Sequence, residues 1–355
     1  MSSLHRLPPE EVPSKVWEDS KNGSIEGLIA ELQSEEYDGK SYEAFGQCFE
    51  TIDILADESV VIASDNVRGI RTNGYITKFE RIEDVPQLPA LTLTPTYGGI
   101  CNLFPLRDKT LICGFDSGHI SKLNEGLEEQ MSVALHDNQI CRLSIDRLES
   151  KSVSSGYDTS LVVLDLNTFR PLKTYQTAHT AIIWDNAFNN LDDNLVLTCS
   201  RDKDVLLWDL RKQKPASKVL TIGTEPTALS WSSKDISNVF IGTSVGEVFL
   251  IDIRSPKTSQ MTTNMTSKRV HRIKNVLNGK GIAICSDDNN FLVLDSNNFN
   301  CIHRDNTSHS DWVRDLTEHH QKLYTVGRDS RLICHTQLKP ESDSIEMTES
   351  LPVIS

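Results

Sequence analysis

One short segment recurs along this chain, and its spacing constrains the fold more than any single residue does. In its fullest form it reads Cys199-Ser200-Arg201-Asp202-Lys203-Asp204-Val205-Leu206-Leu207-Trp208-Asp209. The pattern is a small residue, a polar turn carrying Asp, and then an apolar strand closed by Asp. Degenerate copies close at Glu80, Asn124, Asp165, Asp252, Asp295 and His335, so that with Asp209 the closing positions lie 44, 41, 44, 43, 43 and 40 residues apart. A period of about 40–45 residues with a Trp-Asp ending marks a propeller blade of four short strands. Seven copies occupy nearly the whole chain after residue 45. Between them the apolar runs are short, alternating or β-branched, and bounded by Gly, Asn, Asp and Ser, with almost no helical periodicity. The expected fold is all-β: a seven-bladed WD-repeat β-propeller over residues 45–338. An extended N-terminal arm (1–44) precedes it and a short acidic C-terminal tail (339–355) follows.

The best-preserved copy suggests how a blade is tied together. His179, Ser200, Asp202 and Trp208 have the spacing of a hydrogen-bonded set linking one strand to the next. Trp208 brings a large apolar surface with one N–H to satisfy, and the Ser, Asp and His supply a connected polar chain. The same residue types could suggest Ser-His-Asp catalysis, but that needs an exposed nucleophile and an oxyanion hole. Fragments of the set recur as His136 with Asp158, His271 with Asp288 and His309 with Asp329. An active site would occur once, so the recurrence favours a structural role.

Charge narrows the partners. Lys plus Arg total 36 against 50 Asp plus Glu, a net charge of −14. Nucleic-acid backbone binding needs a basic footprint, whereas an acidic chain suits partners or substrates with basic segments. No run approaches the roughly 20 apolar residues that span a bilayer, and the start of the chain lacks a secretory apolar stretch. Eight scattered cysteines, without a Cys-x-x-Cys pair and mostly inside apolar runs, read as reduced buried thiols. A cytosolic setting, with a nuclear one as an alternative, is therefore expected.

Other chemistry is thin. His319-His320 and Cys334-His335 are the candidate metal ligands, but neighbours on a strand point to opposite faces and neither pair can close on one ion. Asn278-Gly279-Lys280-Gly281 reads as a hairpin turn, and Asp192-Asp193 and Asp287-Asp288 as turn carboxylates. No catalytic residue, metal or cofactor is expected. The one basic cluster, Lys268 to Lys274, reads as a solvated loop and edge strand. Its alternative is a contact for an acidic partner or RNA. In the arm, Pro8, Pro9 and Pro13 precede Trp17, which either docks on a partner or packs on its own propeller. Ser24 could cap a short helix carrying Ile25, Leu28, Ile29 and Leu32 on one face.

Several segments resemble the WD-repeat subunit of the methylosome, the partner of the type II protein arginine methyltransferase. They are Leu197 to Asp202 and Leu206 to Asp209, the Lys214-Pro215-Ala216-Ser217 word, and Pro226 to Trp231. Near the end, His309 to Asp315 and Thr325 to Asp329 match similarly, and the arm ending Val16-Trp17 has a counterpart. The resemblance covers blades three to seven clearly and blades one and two loosely. It implies a non-catalytic adaptor docked on the enzyme's N-terminal barrel domain, with four copies of each chain. Such an adaptor presents basic substrates, such as Arg/Gly-rich Sm-type proteins or histone tails, for symmetric dimethylation. Tudor-domain readers and ribonucleoprotein or germ granules belong to the same implied setting. One departure stands out. Where the family's first blade offers a Trp to the enzyme, this chain has Arg68-Gly69-Ile70-Arg71-Thr72-Asn73-Gly74. Either Arg71 and its neighbours Arg68 and Thr72 replace that anchor by hydrogen bonds and charge, or the docking differs in detail. These three and Trp17 are the candidate partner contacts, and the helix-like stretch at 24–33 could compensate for the missing aromatic.

Overall fold

Seven apolar clusters, each drawn from two consecutive blades, form the core of the described residues. The structure, a computed structural model, describes residues 48–335 apart from 67–72, 83–84, 86–91, 97, 216 and 257–260. The proposed arm, its helix, the acidic tail, Trp17, Arg68, Arg71 and Thr72 lie outside the described residues.

Six antiparallel sheets have four strands and the seventh has three among the described residues. In all seven, sequence order is spatial order from the inside out, and the blades are numbered here in chain order. Blade 4 is representative: Ile183–Phe188 innermost, then Leu195–Ser200, Asp204–Asp209 and Ser217–Thr221 outermost. The third strands end at Phe79, Leu123, Asp165, Asp209, Asp252, Asp295 and His335. These ends fall within one residue of the repeat positions read from the sequence.

Burial explains why these strands read as they do. A blade is covered on both faces by its neighbours, so its second and third strands carry unbroken apolar runs such as Leu161-Val162-Val163-Leu164. Outer strands vary: Glu129–Ala134 is almost wholly exposed, whereas Cys301–Asp305 is partly buried. Phe240, Val248, Ile282 and Ile284 fill the junction of blades 5 and 6, and Leu197, Val205, Leu229 and Trp231 that of blades 4 and 5. Phe49, Ile52 and Ile62 of blade 1 meet Tyr324 and Val326 of blade 7, which closes the ring. At about 25 cal/mol per Å² of apolar surface, these junctions supply the main favourable contribution to folding.

Polar ties cross the same junctions with the period of the repeat. Arg142 Nε lies 2.9 Å from Asp185 Oδ1, and Arg272 Nε 3.0 Å from Asp315 Oδ1. Thr227 Oγ1 donates to the Val270 carbonyl, 43 residues on, at 2.7 Å. At the closure, Thr51 Oγ1 donates to Asp315 Oδ2 at 2.6 Å, and Arg314 pairs with Glu50 at 2.6 Å. Both groups of each Arg–Asp pair are largely buried, so each depends on its partner to offset desolvation.

Candidate functional site

The innermost strand of every blade carries one extra residue. Register shifts fall between Phe49 and Thr51, Ile100 and Asn102, Ile183 and Asp185, Pro226 and Ala228, Val270 and Arg272, and Val313 and Asp315. In blade 3 the shift leaves Cys141 without an opposite number. Such a bulge re-aims one side chain while its neighbours stay in the ladder. The seven extra residues are Glu50, Cys101, Cys141, Trp184, Thr227, His271 and Arg314, and all seven line one cavity of about 380 Å³ at the mouth of the central channel. The next residue inward often provides the junction tie: Thr51, Asn102, Arg142, Asp185, Arg272 or Asp315.

This mouth has two chemical halves. On one side Glu50 accepts from Arg314 Nε at 2.7 Å and Arg328 Nε at 3.0 Å. Burial first, and then the Arg314 charge, hold His271 well below its ordinary pKa, so its Nδ1 accepts from Arg314 Nη1 at 3.2 Å. Asp65, pushed up to about 6 by burial and by Glu50, lies 3.9 Å from Arg328. The other half is aromatic and thiol. Tyr157 meets Trp184 edge-on at 5.8 Å, and burial raises the Cys101 and Cys141 thiols far from reactivity. Between the halves Arg269 stacks over Trp184 at 4.1 Å, with its buried Nε and the Trp184 Nε1 both without a hydrogen-bond partner. Arg328 covers Trp312 in the same way at 5.0 Å. The arrangement offers aromatic faces, a stacked guanidinium and unspent donors, which suits recognition of a polar segment of another chain.

The sequence-derived blade set needs one correction. His179 Nδ1 bonds Asp202 at 2.9 Å, but Nε2 bonds Thr198 Oγ1 at 2.7 Å, and Trp208 Nε1 donates to that same oxygen at 2.9 Å. The hub is Thr198. Ser200 sits at the strand end, donating to the Ala181 carbonyl and accepting from Asp202 N–H. Strand alternation puts both residues on one face, but only Thr198 lies diagonal to Trp208 in the ladder. Blade 3 repeats the tie through His136, Asp158 and Ser154, and blade 7 through His309, Asp329 and Thr325, where His335 stands in for the Trp.

Two further readings change. Asp288 is not paired with His271. It caps Ser267, accepting from its N–H at 2.6 Å, because the bulge sends His271 into the channel. The basic cluster runs onto an edge strand, but that edge is the inner one, facing the channel and only partly exposed. Arg272 and Lys274 are committed to Asp315 and Arg269 to Trp184, leaving Lys268 exposed. Among the described residues of the cluster only Lys268 is exposed, which weighs against the RNA reading. His319 and His320 do not point apart either: the strand ends at His319, His320 turns to φ +49, and the rings stack at 3.9 Å. The bulged ring itself went unread in the sequence. Its signal is a buried apolar residue, a free position, and a polar or small one: Phe-Glu-Thr, Ile-Cys-Asn, Ile-Trp-Asp, Val-His-Arg.

Comparison with known proteins agrees with this architecture. No protein-family model matches the chain. Methylosome protein WDR77 of Xenopus laevis is 28% identical over 291 residues, covering 79% of this chain and 86% of that protein. DDB1- and CUL4-associated factor 13 of Dictyostelium discoideum is 27% identical over 103 residues, only 29% of this chain and 23% of its own length. A 77 kDa echinoderm microtubule-associated protein of Strongylocentrotus purpuratus is 25% identical over about half of this chain and a quarter of its own. The chain is thus a seven-bladed WD-repeat β-propeller whose similarity to a methylosome WD-repeat protein runs across most of both sequences.

Proposed function

We propose that this protein is a non-catalytic scaffold subunit of a protein arginine methyltransferase complex. One observation carries the reading: its similarity to a methylosome protein spans 79% of this chain and 86% of that protein, far beyond a single WD word. Physical chemistry supports it in two ways. A net charge of −14 favours encounter with Arg-rich substrates, and the His and Asp residues that resemble a catalytic set are built into blade ties, His179 being 5% exposed. In this reading the enzyme is of type II and the assembly holds four copies of each chain. Arg/Gly-rich Sm-type proteins or histone tails are presented, and Tudor-domain proteins read the product. The site of action is cytoplasmic, nuclear or within ribonucleoprotein granules. The test is methylation of an Arg/Gly-rich substrate by a type II enzyme with and without this chain. Stimulation or retargeting is expected; identical rates and products would contradict the proposal.

A second reading, a peptide-binding scaffold unconnected with methylation, is favoured by the unspent donors of Arg269 and Trp184 at the mouth. It predicts that peptide binding quenches Trp fluorescence and that Arg269→Ala abolishes the response, with methylation unaffected.

A further inference from the structure

The geometry points to a divalent transition-metal site, best suited to Zn²⁺, formed by His303, Asp305 and His335 at the junction of blades 6 and 7. His303 and Asp305 lie on the outer strand of blade 6, Cys301–Asp305, and His335 ends the third strand of blade 7, Leu332–His335. His303 Nε2 is 3.3 Å from His335 Nδ1, and His335 Nδ1 is 3.6 Å from Asp305 Oδ2. All three ligand atoms lie within 4.8 Å of one another. A tetrahedral ion with bonds of about 2.0–2.2 Å sets its ligands about 3.4 Å apart, so the two measured edges already have the required length.

The hydrogen-bond network aims the lone pair of His335 into this triangle. His309 Nδ1 faces the Asp329 carboxylate, which only accepts, so Nδ1 carries the proton and Nε2 accepts from Thr325 Oγ1 at 2.8 Å. Thr325 has one proton to give, so its contact with His335 Nε2 at 2.9 Å is donated by His335. Nδ1 of His335 is then an acceptor, taking the His303 Nε2–H at 3.3 Å and facing a carboxylate oxygen at 3.6 Å that is also an acceptor; a bound cation would displace that His303 proton. A cation between them resolves that opposition. Both His side chains are buried, while Asp305 is 14% exposed and supplies the route to solvent and an outer ligand position. A bulge at Ile302, between Cys301 and His303 on the same strand, turns His303 toward blade 7, a change of face that alternation in the sequence does not reveal.

The experiment uses the full-length chain without an affinity tag, stripped of metal and titrated with Co²⁺ and Zn²⁺. The expected result is one equivalent taken up with the visible spectrum of a tetrahedral N/O site, and a rise in melting temperature with Zn²⁺. Asp305→Asn keeps the shape of the most accessible ligand, and His303→Gln leaves the Thr325 network intact. Each should weaken uptake at least about 10-fold while circular dichroism is unchanged. A His319→Ala/His320→Ala variant should bind as wild type. Absence of uptake at tens of micromolar, uptake unaltered in both ligand variants, or loss in the His319/His320 variant would each overturn the proposal.

Discussion

Thr198 and Ser200 sit two residues apart on one face of one strand, yet they contribute differently to stability. Thr198 Oγ1 serves both His179 and Trp208, so Thr198→Val leaves two buried nitrogens unpaired and should cost about 2–3 kcal/mol in chemical denaturation. Ser200→Ala removes one weaker carbonyl contact and should cost about 1 kcal/mol. A larger loss at Ser200 would show that the hub is misassigned. The equivalent tie in blade 3 titrates. Burial opposes ionisation of Asp158, but the His136 and Ser160 donors outweigh it and hold the carboxyl at about 2, against an ordinary 3.8. A depressed acid contributes stability that is complete above pH of about 4 and lost as pH falls through 2. Stability of Asp158→Asn should therefore fall less than wild type between pH 4 and 2; parallel curves would refute the assignment.

At the scale of the strand, the sequence reports what periodicity can carry. Third strands announce themselves because both faces are covered and their apolar runs are unbroken, and turns such as Asn278-Gly279 follow from their residues, with φ of +55 and +78. The bulges are hard to read, since an extra residue leaves composition unchanged, shows plainly only in register, and is hinted at by no more than a short apolar–free–polar triplet on some inner strands. The mouth residues, the position of His271 and the convergence of His303 with His335 all depend on that register and so are visible only in the folded chain. Gly118 illustrates a positional demand that the sequence does signal. It adopts φ +82 and its carbonyl accepts from both Leu135 and His136, while an added Cβ would run into the His136 carbonyl. Gly118→Ala should destabilise by more than about 1 kcal/mol and loosen the His136 tie, seen as faster amide exchange in blade 3. Unchanged exchange would contradict that coupling.

For the molecule as a whole, closure of the ring concentrates on Asp315. It receives Arg272, Lys274 and Thr51, joining blades 6, 7 and 1 in one buried group. Asp315→Ala strands Arg272 and should cost about 3–5 kcal/mol, lowering the melting temperature of the entire ring and not of one blade. A local loss confined to blade 7 would mean that closure is held by the Phe49–Tyr324 apolar junction alone. A closed ring presents the mouth as a rigid surface, which is the property a scaffold requires. The most direct test of that role is to mix the purified chain with a type II protein arginine methyltransferase and follow the mixture by size-exclusion chromatography with light scattering. The account expects co-elution at micromolar concentration with a mass equal to four copies of each chain; two separate peaks at their individual masses would contradict it.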